Sequence, residues 1–146
     1  MKLQVSSRLA IFALLELAAR PDRQLSVAEI GGKYGVSNHH LAKVMHALGR
    51  AGLVRSVRGA GGGYQFSGNA RRTTLLDVIQ LFESLGAGDA DSAAEEATNE
   101  GRALHEVLGE IDDIARATLG SFTIATMLKL VGRGRADGRR PLAVAP

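Results

Sequence analysis

The chain contains no cysteine. That absence excludes disulfides, thiolate-ligated metals and cysteine-held iron–sulfur centres, and with them the commonest redox-sensing chemistry. No apolar run approaches the roughly 18 residues that a membrane span needs. The N-terminus also lacks a basic segment followed by an apolar stretch and a cleavage site, so the expected location is the cytoplasm, with no membrane partner. Metal-ligand spacing is missing: His39 and His40 are adjacent and diverge on a helix, while His46 and His105 stand apart. No nucleophile, base and orienting group form a catalytic constellation. The glycines around Gly59 to Gly63 lack the Lys-Ser/Thr ending of a phosphate-binding P-loop. The expectation is a protein without enzyme activity, cofactor or metal.

What is present is 146 residues with 45% apolar content, enough to bury a core without disulfides or metal. The net charge of +3 conceals a partition. Residues 1–73 hold 11 Lys/Arg against 3 Asp/Glu, residues 74–131 hold 3 against 11, and residues 132–146 hold 4 against 1. A basic front half attracts a polyanion, and an acidic half is repelled from it and kept facing away.

The periodicity predicts a mainly helical chain with one small β-hairpin. Leu9, Phe12, Ala13, Leu14 and Leu17 recur at helical spacing after Ser6 and Ser7, which predicts a capped helix over 7–19, ended by Pro21. Ser26 and Glu29 form a capping box for a second helix reaching Tyr34, where Gly35 supplies a sharp turn. Ser37 caps a third helix running to Ala51. Leu53 to Arg58 and Tyr64 to Phe66 flank the glycine cluster as a two-stranded wing. Thr74 caps a fourth helix that ends by Gly86, and Gly86 to Asn99 is small, acidic and without apolar period, which predicts a loop. From Arg102 to Leu119 the apolar residues repeat with 4-3-4-3 spacing in a long amphipathic helix. A short helix over 123–131 and a flexible basic tail from Gly132 to Pro146 complete the expectation.

This order defines a winged helix-turn-helix over 1–73, a helical dimerisation region over 74–131 with an acidic loop at 86–99, and a tail at 132–146. On the third helix Leu41, Val44, Met45 and Leu48 share the core face, which leaves Asn38, His39, Ala42, Lys43, His46 and Arg50 on the other. Recognition helices meet base edges with their N-terminal residues. Asn38, His39 and Lys43 are the base-reading candidates: Lys donates to guanine O6/N7 and Asn pairs with adenine. Ser37, Arg50 and Arg55 suit phosphate contacts that set register. Arg58 and Gly59 stand at the hairpin tip, where a guanidinium suits the negative potential of a narrow minor groove. Leu104, Val107, Leu108, Ile111, Ile114, Ala115 and Thr118 form the seam through which two copies would pair at the spacing a palindromic site demands.

These segments resemble the Rrf2 family of winged helix-turn-helix transcription regulators, in an IscR/NsrR-like form. The resemblance covers almost the whole chain: MKLQVSSRLA at the start, YGVSNHHLAKVMHALGRAGLVRSVRG, the wing GAGGGYQF, TTLLDVIQLFE and the closing FTIATMLKL. It implies a homodimer binding an imperfect palindrome in double-stranded DNA, with Arg58 in the minor groove and the helix after Ser37 in the major groove. Family members that sense iron–sulfur status or nitric oxide hold a cluster through three cysteines before the long helix. This chain has none there, and where NsrR-type members supply an acidic ligand it has Arg8. The expectation is a dimeric, cluster-free repressor whose signal is a small-molecule effector between the winged domain and the long helix, or a docked protein partner. A structural adaptor whose long helices bind another protein is the alternative.

Overall fold

Helix α1 (Val5–Ala18) is the axis around which the chain packs, and the computed structural model describes residues 1–59, 61–85 and 92–136 of it. Leu9, Ala10, Ile11, Ala13, Leu14, Leu17 and Ala18 are all buried, so nearly every face of α1 is covered, as expected of a central helix. Around it stand α2 (Val27–Tyr34), α3 (Asn38–Arg50), the hairpin of β1 (Val54–Val57) and β2 (Gly63–Phe66), and α4 (Leu75–Ile79). The later helices are α5 (Ser92–Glu96), α6 (Asn99–Ser121) and α7 (Ile124–Ala136). One core joins α1 to Ile30, to Leu41, Val44, Met45 and Leu48 of α3, to Val54, to Val78 and Ile79, and to Ile124. The described architecture is therefore the expected one, mainly α with a small antiparallel wing.

Ser6 and Ser7 do not cap α1, which begins at Val5, two residues before the expected start, behind a Gln4 whose side chain makes no capping bond. The cap comes from Glu83. Its Oε2 accepts hydrogen bonds from the Gln4 backbone N–H (2.9 Å) and from the fully buried Ser7 hydroxyl. A carboxylate there also meets the positive end of the helix dipole. Removing it with Glu83→Ala leaves Ser7 buried without a partner, so urea denaturation is expected to show a loss of about 1–3 kcal/mol. In the Ser7→Ala background the same substitution should cost clearly less. Equal costs in the two backgrounds would show that the two groups are not coupled.

The turn between α2 and α3 is built from local signals. Ser26 Oγ accepts from the Glu29 N–H (3.1 Å), although the return contact joins the Ser26 hydroxyl to the Glu29 carboxylate and not to the backbone. Gly35 takes the left-handed conformation (φ 66°) that ends α2. Ser37 caps α3 by accepting from the His40 N–H (3.2 Å).

In the wing, Val54 pairs with Phe66, Arg55 with Gln65, Ser56 with Tyr64 and Val57 with Gly63. A third segment joins β2, because Leu25 and Tyr64 exchange both backbone hydrogen bonds (2.9 and 2.8 Å). Gly63 permits this approach: a Cβ there would lie 2.3 Å from the Leu25 carbonyl oxygen.

Several boundaries beyond the wing depart from the sequence expectation. Helix α4 has the full Thr74–Asp77 capping box but stops at Ile79, well before Gly86. There the Leu81 and Phe82 N–H groups reach back three residues, to Val78 and Ile79, and this tighter turn leads the chain to Glu83. The expected loop over 86–99 is a loop only in part. Residues 86–91 lie outside the described ones, 92–96 form α5, and Asn99 already belongs to α6, capped by Thr98. Ala and Glu favour helix without any apolar stripe, which is why the missing periodicity misled. Helix α6 accordingly runs from Asn99 to Ser121 and exceeds the expected span at both ends. Helix α7 continues to Ala136, so residues 132–136 are helical where a tail was expected, and the remainder of that tail lies outside the described residues. Arg133 and Arg135 in its last turn complement the helix dipole. No helix among the described residues is long and apolar enough to cross a membrane.

Candidate nucleic-acid interface

The burial of α3 divides along the line its spacing predicts. Leu41, Val44, Met45 and Leu48 are buried, whereas Asn38, His39, Ala42, Lys43, His46 and Arg50 are exposed. The N-terminal half of that polar face therefore stands free to enter a groove. His40 turns away, half-buried, with Nε2 3.2 Å from the Ser6 hydroxyl. Ser37 is exposed, and although its oxygen caps α3 its O–H remains available to donate to a phosphate.

The wing follows α3 directly in the chain, and β1 packs beside that helix. Arg55 is exposed, and its Nη2 donates to Gln65 Oε1 (2.8 Å), while Gln65 Nε2 donates to the Pro21 carbonyl (2.8 Å). Gln65 is thus a positioning residue that the sequence reading missed. Its signal was the register itself, which sets it opposite Arg55. Arg58 and Gly59 are exposed just past β1, and Gly59 has φ 119°. Among the described residues no ion pair involves Lys43, Arg50, Arg55 or Arg58, so their charge is free to meet an anion.

The second candidate region behaves differently. Helix α6 buries none of its residues, and Leu104, Val107, Leu108, Ile111 and Ile114 are each 50–67% exposed. Ala115 is half-buried, and Thr118 is exposed with its hydroxyl donating to the Ile114 carbonyl (2.9 Å). The C-terminal half of α6 is held on its other side, where Arg116 donates to the Leu85 carbonyl and Leu119 packs on the core.

One half-buried polar cluster joins α1 to α2. Glu16 accepts from the Tyr34 hydroxyl (2.6 Å) and pairs with Lys33. Burial alone raises the Glu16 pKa, but hydrogen bonds from Lys33 and Tyr34 and the charges of Lys33 and Arg135 outweigh it and hold the carboxyl below its usual range. Burial and the Glu16 carboxylate push the Tyr34 hydroxyl up. Among the described residues no group of three or more His, Cys, Asp or Glu is placed to hold a metal.

An exposed cationic helix with a basic wing beside it defines the class: a winged helix-turn-helix DNA-binding regulator of transcription. The chain matches the Rrf2 family, described as iron-dependent transcriptional regulator, over residues 3–130, and it belongs to that family. It is 51% identical over 140 residues to the HTH-type transcriptional regulator BadM of Rhodopseudomonas palustris (strain ATCC BAA-98 / CGA009), covering 96% of this chain and 89% of that one. Among solved structures, CymR, the global cysteine regulator of B. subtilis, superposes with a TM-score of 0.74 at 26% identity, covering 88% of this chain and 97% of CymR. T. potens IscR superposes with a TM-score of 0.71 at 24% identity, covering 100% and 94%, and supports the fold. The family comprises transcription regulators and not enzymes, as the missing catalytic constellation implied. Iron-dependence in the family's description raises the question of fit. With no cysteine in the chain and no other suitable donor grouping among the described residues, the donor set does not suit an iron–sulfur cluster.

Proposed function

We propose that the protein is a homodimeric, cluster-free repressor that binds an imperfect palindrome. The observation that carries this reading is the exposed, ion-pair-free cationic surface of α3 and the wing, on a chain whose α6 leaves an apolar stripe uncovered. Residues 1–73 hold the DNA in this reading, and α6 joins two copies. Asn38, His39 and Lys43 read base edges in the major groove, with His46 alongside them on the same face. Ser37, Arg50 and Arg55 fix register on phosphates, and Arg58 enters the minor groove beside Gly59. The cytoplasm is the location that this role requires.

The test begins by selecting bound fragments from genomic DNA and titrating the operator so obtained at several salt concentrations. The log–log salt slope should be steep, at about −0.9 per neutralised phosphate. Lys43→Ala should weaken operator binding and relax preference at one base position, with a discrimination loss of about 1–3 kcal/mol. Arg58→Ala should weaken binding and make the slope shallower by about 1. Operator and random duplex binding the parent and both variants alike would refute the site assignment.

A further inference from the structure

A cavity of about 250 Å³ opens between the end of α1, the loop before α2, α2 itself and the last turn of α7. Its wall carries four cations, Arg20, Arg23, Lys33 and Arg135, against two carboxylates, Glu16 and Glu29. Both carboxylates are already engaged: Glu16 by Lys33 and Tyr34, and Glu29 by the Ser26 hydroxyl. Among the described residues Arg20, Arg23 and Arg135 form no ion pair, so three arginines line one concavity in which cations outnumber carboxylates four to two. Arg135 lies close enough to Glu16 for its charge to help hold that carboxyl down. Guanidinium forks match the paired oxygens of carboxylates and phosphates, and clustering them is unfavourable until an anion arrives.

We propose that this cavity is an effector site for a small multivalent oxyanion, a compact metabolite bearing two or more carboxylate or phosphate groups. The site lies behind α2, and not between the winged domain and the long helix, where the sequence reading would put an effector. Arg23 belongs to the loop whose Leu25 is hydrogen-bonded to Tyr64 of the wing and whose Pro21 carbonyl receives Gln65, the partner of Arg55. Ile30, in the wall, is a core residue of α2, the helix that precedes the recognition helix. An anion bridging Arg23 and Arg135 ties the end of α7 to the wing-bonded loop. It also adds negative charge to the basic half of the chain, so occupancy weakens the hold on DNA. That regulatory consequence rests on the DNA-binding reading above, whereas occupancy of the cavity does not.

The experiment titrates the full chain with citrate and, separately, with inorganic pyrophosphate in a calorimeter, against sodium chloride at matched ionic strength. At least one probe should bind, and Arg23→Gln and Arg135→Gln should each weaken it about tenfold, the effect of losing one charge-assisted bond. Arg58→Gln, on the wing, should not. The probe that binds distinguishes a carboxylate from a phosphate effector. Saturating probe should lower operator affinity at least fivefold in the parent and not in Arg135→Gln, and operator should lower probe affinity by the same factor. Failure of both probes, or binding indifferent to both substitutions, would overturn the proposal. So would an Arg135→Gln variant that loses duplex affinity without any probe as Lys43→Ala does, because the cavity would then be a backbone-phosphate contact. Probe binding with the expected mutational losses, in a chain that binds no duplex, would uphold the site and overturn the operator reading instead.

Discussion

Replacing Leu108 and Ile111 together by glutamate is expected to yield a folded monomer. Both side chains lie on the α6 stripe, are half or more exposed in the single chain and take no part in its core, so the fold has little to lose. Covering such a side chain with a second copy contributes on the order of 1–2 kcal/mol. Burying a carboxylate in its place costs several kcal/mol, and in a symmetric contact each substitution acts twice. Light scattering should find the parent as a dimer and the variant as a monomer at micromolar concentrations, with the same helical circular dichroism and melting temperature per chain. Operator affinity should fall by about 10²–10⁴, the gain that linking two half-site readers provides. A variant that remains dimeric would place the pairing surface elsewhere. A variant that unfolds would show that the apolar stripe of α6, and not only its other side, supports the single-chain fold.

The second large effect is expected at Gly63. A Cβ there would approach the Leu25 carbonyl oxygen to 2.3 Å and the Ser26 nitrogen to 2.9 Å, backbone against backbone, with no flexible side chain to give way. Overpacking of this kind costs about 1–3 kcal/mol. Parting the Leu25–Tyr64 pair forfeits roughly another 0.5–1.5 kcal/mol for each of its two hydrogen bonds. Gly63→Ala should therefore lower stability by about 2–5 kcal/mol in urea denaturation, a large share of the roughly 5–15 kcal/mol available to a domain. Gly61→Ala is the control. Gly61 has φ 76° but open space around its missing Cβ, so only backbone strain of about 1 kcal/mol is at stake. The reverse ranking would mean that the wing is not clamped through Leu25. Gly63→Ala should also weaken operator binding, because the clamp positions the strand that bears Gln65 and, through it, Arg55.

The parts of the molecule legible in its sequence are those decided within a turn or two of chain. Ser26, Gly35, Ser37 and Thr74 mark helix ends by bonds to residues at most three or four positions away, and all four act where expected. The two faces of α3 follow from a 3.6-residue period, and the glycine-tipped hairpin follows from its own composition. What escaped depends on residues that meet only after folding. Nothing near Ser7 announces Glu83, so the serine passed for a cap when it is the buried donor to one. Arg135 looked like part of a solvated tail, although it returns to the wall that holds Glu16. Gln65 acquires a role only through the register that sets it against Arg55. Helix α5 carries no apolar stripe: it combines helix-favouring Ala and Glu with contacts to the start of α6, where Thr98 and Arg102 donate to the Glu95 and Glu96 carbonyls.

The core that covers α1 has a consequence for how the chain is made. Synthesis proceeds from the N-terminus, and a ribosome that has released residue 73 has supplied the helix-turn-helix and the wing complete. It has yet to supply Val78 and Ile79, which lie fully buried in that core, or Glu83, which closes the first turn of α1. Ile124, fully buried in the same core, arrives more than forty residues later still. The half proposed to read DNA is therefore written first and finished last, and α3 gains its full support only once the chain has passed through α6, the helix proposed to recruit its twin.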